Sequence, residues 1–402
     1  HAMPSIPGSW IPTGAGSQLL YDLLDDLCTA VNPLSSGAAI QSALDNDREN
    51  GRRLELACGE ITVTDTLDID GGTGGGLHGQ GAREAVAADN ANARGGSVVI
   101  YNGTKAANEA LFSQTRTNFI YRDSAYQGKS TADLLADTGT RTPIGLHVTR
   151  GPSYGSGKTR LYNTRWSGFG RAIVMGDAMA DLNCDETRCY DAVSFRNGTF
   201  FQARNAQSLG HYFYGLTALE TDTIFEFLGG GKLLVSGCDL LTEATFLHLD
   251  ATDEDGWGQN FSKWTFRDIN LDAQAINSRL LTCVPGLDYY GSKVRFDGVH
   301  LSMNDPGGWS NELINVGDNM RVRLNDVSHL CAGAIRWNTT TSKSSIHIRG
   351  CDVWSTVEEV VDLLDPSEST GSLRVIVENC YLDGTYNLLN SGTLFNEIRT
   401  GT

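Results

Sequence analysis

Four carboxylates stand close together in the chain: Glu220, Asp222, Glu226 and Asp250, with His248 two residues before the last. Hydrolysis of a glycosidic bond needs two carboxyl groups across it, about 5–5.5 Å apart for retention or about 6.5–9.5 Å for inversion. Like charges crowded in this way keep one group protonated as the general acid. All four are therefore candidates for acid/base work. Asp253, Glu254 and Asp255 extend the cluster, and Trp257 sets an aromatic ring beside it. Two other readings of the same residues stand: a solvated acidic patch, and a calcium site of hard carboxylate oxygens. Asp253-x-Asp255-Gly256 lacks the rest of an EF-hand loop, and no other cofactor or metal is expected.

Glu226 and Asp250 can meet only if the chain returns on itself with a regular period, and the sequence repeats in that way. The stretches 234–240, 265–271, 295–301, 323–328, 347–353 and 376–382 each read as a short alternating strand, a Gly, Asp or Asn, and a second alternating strand. Their equivalent positions are Cys238, Ile269, Val299, Val327, Cys351 and Cys380, between 24 and 31 residues apart. Fainter copies lie at Phe195-Arg196-Asn197-Gly198 and Phe213-Tyr214-Gly215-Leu216. A third short strand falls between copies, as at Ile224–Phe227 and Leu247–Leu249. Three strands per coil at this period give an all-β chain wound as a right-handed parallel β-helix. The small or Asx residue between strands fits a tight bend near the left-handed region.

Stacked strands lie about 4.8 Å apart, so equivalent outward positions form ladders. The third-strand ladder reads Glu226, His248, Thr282, Asn315, Arg336, Asp362, which makes His248 and Arg336 candidate substrate contacts. On the preceding face Thr265, Arg295, Arg323 and His347 align. Arg295 and Arg323 suit bidentate capture of a uronate, sulfate or sialic-acid carboxylate. Pairing with Asp297, Glu378 or loop acids is the structural alternative. Trp257, Trp309 and Tyr289-Tyr290 occupy loops of adjacent coils, where rings either stack on sugars or pack onto the solenoid. A third face carries Asp239, Asn270, His300, Ser328, Asp352 and Tyr381. One column, Ile224, Phe246, Leu280, Leu313, Ala334 and Val360, is apolar. If it faces outward it needs cover, and a homotrimer packed along it is the expectation.

The 402 residues divide into 1–35, with a tag-like His1-Ala2-Met3 and a leading helix, and 36–402, the capped helix of strands. Ser17 is placed to cap a helix whose Leu19, Leu20, Leu23, Leu24 and Leu27 share a face. Ile40, Ala43 and Leu44 mark a second helix, and an open solenoid end needs such a lid. The polar stretches 82–96 and 122–141 read as irregular excursions. A net charge of −17 argues against a nucleic-acid partner. No window holds the roughly 18 apolar residues of a spanning helix, so no membrane insertion is expected. Nine cysteines without metal-type spacing read as buried thiols of a reducing compartment, with Cys184-x4-Cys189 the one local disulfide candidate.

The run Ala38-Ala39-Ile40-Gln41-Ser42-Ala43-Leu44, then Arg53–Val63, resembles the opening of pectate-lyase-like β-helix proteins, with Ala57-Cys58-Gly59 in place of their Pro-x-Gly. Gly145–Val148, Thr159–Asn163, Trp166–Gly170 and Ala172–Asp177 are similar to a run common in bacteriophage tailspikes. The resemblance implies a virion tail or spike protein made in the host cytoplasm (extracellular if cellular in origin). It also implies a glycan ligand and trimeric association. It places no catalytic residue. The expected function is binding and hydrolytic depolymerisation of a bacterial surface polysaccharide. The rivals are a non-catalytic receptor-binding or structural spike, and a β-eliminating lyase using Arg336 or His248 as base.

Overall fold

The structure, a computed structural model, describes residues 34–47, 51–81, 96–149, 157–177, 184–204, 208–250, 263–273, 278–284, 287–289, 291–301, 313–328, 330–331, 335–337, 344–354, 361–362, 364–365, 373–383, 386–387 and 400–401. Every strand pairing among them is parallel, and partners lie one repeat apart. Tyr212 pairs back to Arg188 and forward to Leu234. Glu226 pairs back to Gln202 and forward to His248. Parallel neighbours need a long crossover. Here the following strands of the same repeat supply it, so the chain stacks on itself as a parallel β-helix.

The bend that sets the period is a ladder of left-handed residues. Asp268 (φ 51°), Asp326 (φ 49°), Asn379 (φ 51°), Gly237 (φ 64°), Gly298 (φ 59°) and Gly350 (φ 62°) occupy it, as the repeat predicts. Asp123, Asn163, Asp191 and Gly215 extend it upstream with the same sign of φ. Asn and Asp tolerate this region because a short side chain bonds locally, and Gly has no Cβ to clash. Asn163 Nδ2 donates to Asp123 Oδ1 at 2.9 Å from one coil to the next. The copy at Phe195–Gly198 belongs to another corner. Its left-handed residue is Arg196, stacked beside Glu220 (φ 48°) through the Phe195–Leu219 pairing.

Alternation fills the interior. Phe201, Phe213, Phe225, Phe246, Phe266 and Phe296 are fully buried, and Phe266 and Phe296 stack at 5.0 Å. Ile224, Phe246, Leu280 and Leu313 belong to the same core at 0% exposure. The apolar column expected to cover a trimer face therefore turns inward at a corner, while Ala334 and Val360 lie outside the described residues. The inward turn follows from the pairing: Phe200/Phe201 and Ile224/Phe225 are consecutive buried residues, so strict alternation breaks there.

Helix α1 (Gly37–Asn46) closes one end. Ser36 caps it by accepting from the Ala39 amide at 3.2 Å, and Ile40 and Leu44 are its buried face. Arg116, fully buried, donates to Leu44 O at the helix C-terminus and to Gly71 O, and pairs with buried Asp47 at 3.4 Å. The leading helix expected after Ser17 lies outside the described residues. Stretch 122–141 is not irregular. It holds the end of the strand Ile120–Gln127 and a second helix, α2 (Thr131–Ala136). Its polar residues misled because Ser124 and Tyr126 satisfy each other inside, at 2.6 Å.

Candidate functional site

The third-strand ladder holds as far as Arg336 and extends upstream: Ser113, His147, Val174, Gln202, Glu226, His248 and Thr282 follow one another on adjacent strands. Arg336 follows Asn315 in register. Its next partner is Asp365, not Asp362, which pairs with Asn387 in a separate two-stranded sheet. Asp362 and Asp365 stand three residues apart in one short run, and spacing alone does not tell them apart. Arg336 lies in the strand Ile335–Trp337, but its side chain is outside the described residues.

Glu226 is the centre of this face. Gln202 Nε2 donates to its Oε2 at 2.5 Å and Thr199 Oγ1 lies 3.5 Å from the same oxygen. Arg204 Nε and Arg171 Nη1 in turn hold Gln202 Oε1, at 2.5 and 3.4 Å. One strand on, His248 Nδ1 meets Thr282 Oγ1 at 2.7 Å, which orients the ring. Asp250 sits one strand over and two residues along from Glu226, its amide donating to Phe227 O. With strands ~4.8 Å apart and a rise of ~3.3 Å per residue, the two Cα atoms are roughly 8 Å apart. Further up the ladder His147 pairs with Asp177 at 3.2 Å, and burial lowers the pKa of its imidazole.

Glu220 and Asp222 stand elsewhere. Asp222 is four residues from Glu226 on one strand, roughly 13 Å by strand rise. It pairs with Arg141 at 2.8 Å. Glu220 pairs with Arg196 at 2.5 Å, and Arg196 Nη1 also donates to Leu134 O and Leu135 O. The two acids thus fasten the segment that carries α2.

On the preceding face Thr265, Arg295, Arg323 and His347 align as expected. Arg295 pairs with Asp297 (2.5 Å) and His347 with Glu378 (3.2 Å), whereas Arg323 is exposed. Tyr289 is buried, its hydroxyl 3.1 Å from both Leu249 O and Val284 O and able to donate to one of them, so it packs on the stack. Trp257, Trp309, Tyr290 and the acids 253–255 lie outside the described residues. Among the described residues no three His, Cys, Asp or Glu side chains group as metal ligands. Cys184 and Cys189 are both buried free thiols, with no disulfide between them. Cys184 directly precedes the strand Asp185–Tyr190 and Cys189 lies near its far end, so their side chains do not converge.

Sequence reasoning missed a row of outward tyrosines, Tyr162, Tyr190 and Tyr214, in consecutive register. The signal was present: one residue type recurring at the coil period.

No family model and no curated protein matches the chain. Solved structures do. DFA-IIIase from Arthrobacter chlorophenolicus A6, without its lid and in complex with GF2, aligns with a TM-score of 0.55 at 13% identity, covering 89% of this chain and 97% of that one. The N-terminal fragment of bacteriophage phi29 gene product 12 aligns with a TM-score of 0.51 at 10% identity, covering 96% of this chain and 69% of that one. At such identities the similarity is one of fold. The chain resembles these proteins as a stacked, all-parallel β structure, and no helix among its described residues is long and apolar enough to cross a membrane.

Proposed function

We propose that this chain binds a bacterial surface polysaccharide as part of a virion and cleaves it by hydrolysis, with Glu226 and Asp250 as the acid/base pair. The observation that carries the proposal is that Glu226 is in register with His248 on the adjacent strand, and Asp250 directly follows that strand's last residue, Leu249. The proposal takes their carboxyl groups to stand about 6.5–9.5 Å apart, the inverting arrangement, which side chains rising from Cα atoms roughly 8 Å apart can reach. One carboxyl gives its proton to the leaving glycosidic oxygen as the C–O bond breaks. The other takes a proton from the water that attacks the anomeric carbon. Gln202 and Thr199 hold Glu226 in place, and His248, oriented by Thr282, contacts sugar hydroxyls. Glu220 and Asp222 take no part in the chemistry. The reading takes the stack as right-handed with three strands per coil. Its fold is shared with a bacteriophage gene product and with an enzyme solved with GF2 bound, which supports both halves of the proposal.

The test is incubation of the full chain with a panel of capsular and exopolysaccharides. New reducing ends without ultraviolet absorbance, lost in Glu226→Gln and Asp250→Asn, are expected. Absorbance of unsaturated uronate would show elimination instead, and neither product across the panel would reduce the protein to an adhesin.

A further inference from the structure

A second face of the stack, away from Glu226, concentrates positive charge on a chain whose net charge is −17. Lys232, Lys263, Lys293 and Arg321 are consecutive partners in one column, and all four are exposed. Like charges in register ~4.8 Å apart repel. The column nevertheless keeps one sign over four coils, although acids outnumber bases in this sequence by 48 to 31. Two residues further along each strand, exposed Arg323 follows Arg295. Arg321 and Arg323 line a cleft of about 350 Å³ together with Ser345, His347 and Arg374.

Upstream on the same sheet the tyrosine row begins. Arg122 lies 4.6 Å from the centre of the Tyr162 ring, Tyr162 stacks on Tyr190 at 5.1 Å and 5°, and Tyr190 on Tyr214 at 5.4 Å and 15°. Because the rings face one another, they show solvent their edges and hydroxyls rather than their flat faces. Such a row offers hydrogen bonds to sugar hydroxyls at the spacing of the coils and offers little to a nucleobase, which needs an open ring face. Arg160 and Arg188 flank it in the adjoining column.

We propose that this face is a holding track for an acidic polysaccharide. The polymer crosses the stack obliquely, with carboxylates or sulfates over the Lys263–Lys293–Arg321–Arg323 group and hydroxyls against Tyr162, Tyr190 and Tyr214, whose column lies four residues along the strands from the lysines. The inference rests on the polysaccharide reading above and adds the charge class of the polymer and a hold separate from the place where it is cut. Its anions offset the repulsion within the cation column. Nucleic acid, with denser charge, is disfavoured by the −17 background.

Affinity electrophoresis and calorimetry of the full chain against polygalacturonate, dextran sulfate, neutral dextran and oligo-dT test the proposal. Retention by at least one acidic glycan, weakening with salt, and none by dextran or oligo-dT is expected. Arg321→Ser with Arg323→Ser should weaken binding about tenfold or more, since charge-assisted hydrogen bonds are the strong ones. Tyr190→Phe, which keeps the stack and removes one hydroxyl, should weaken it about threefold to tenfold. Circular dichroism of each variant checks the fold. Binding that survives the arginine and tyrosine changes overturns the track while the polysaccharide reading stands. Equal or tighter binding of oligo-dT overturns it in favour of a nucleic-acid surface. No glycan retained by the parent chain overturns the track, and the absence of cleavage across the capsular panel is what would bring down the wider reading.

Discussion

Glu226 differs from the other acids near it in what holds it. Its neighbours are a neutral amide and a hydroxyl, whereas Asp222 and Glu220 each face an arginine. Neutral donors orient Glu226 without pairing its charge, whereas Glu220 and Asp222 are each fastened to a guanidinium. Glu226→Gln and Asp250→Asn should each lower turnover by about 10²-fold or more, the usual contribution of general acid–base catalysis. Asp222→Asn and Glu220→Gln should leave kcat within about threefold and lower thermal stability, each by about 0.5–1 kcal/mol as partly exposed ion pairs. Steady-state kinetics and melting of the four variants separate the two classes. The sequence showed four equivalent acids because their partners are remote: Arg141 lies 81 positions from Asp222 and Arg196 lies 24 from Glu220. Glu226 and His248 were legible as neighbours, since a regular period is all that their pairing requires.

At the scale of the element, the bend decides register. Gly237 (φ 64°) has open space where a Cβ would go, so Gly237→Ala carries only the cost of the left-handed backbone, about 1–2 kcal/mol. Gly215 (φ 66°) has Asp191 Oδ1 in that space, so Gly215→Ala should cost more than Gly237→Ala in the same urea titration. At the capped end, Arg116→Met leaves Asp47 buried without its guanidinium and should cost about 3–5 kcal/mol. Six bends were readable because Gly, Asp or Asn recurs between alternating strands. Asp123 was not, because the excursion carrying α2 stretches its spacing to Asn163, whereas Asn163 and Asp191 keep the period and were simply missed. The capping helix was legible in Ile40 and Leu44, but its tie to Arg116 was not, since the two are 72 positions apart from Leu44 to the arginine.

Across the whole molecule, each coil packs only on its neighbours, so groups buried along the stack act together on its stability. Burial holds His211 down to about 4, and burial, with Arg53 and Arg122 nearby, does the same to His78. Unfolded imidazoles titrate near 6.5. The unfolded chain therefore binds more protons between the two values, and stability falls as pH drops from about 6.5 to about 4. The slope is up to about 1.4 kcal/mol per pH unit for each histidine. Urea unfolding across this range should show that slope, and His211→Phe, next to Phe201 and Phe227, should remove about one proton of it.

The stack makes neighbours of residues a coil apart, and the most consequential such pair is Glu226 with Asp250. A crystal structure of the Glu226→Gln variant soaked with an oligosaccharide cut from a cleaved capsule tests this directly. A glycosidic oxygen seated between residue 226 and Asp250, with His248 on an adjoining hydroxyl, is the expected result. A sugar bound with neither side chain within hydrogen-bonding reach would contradict it.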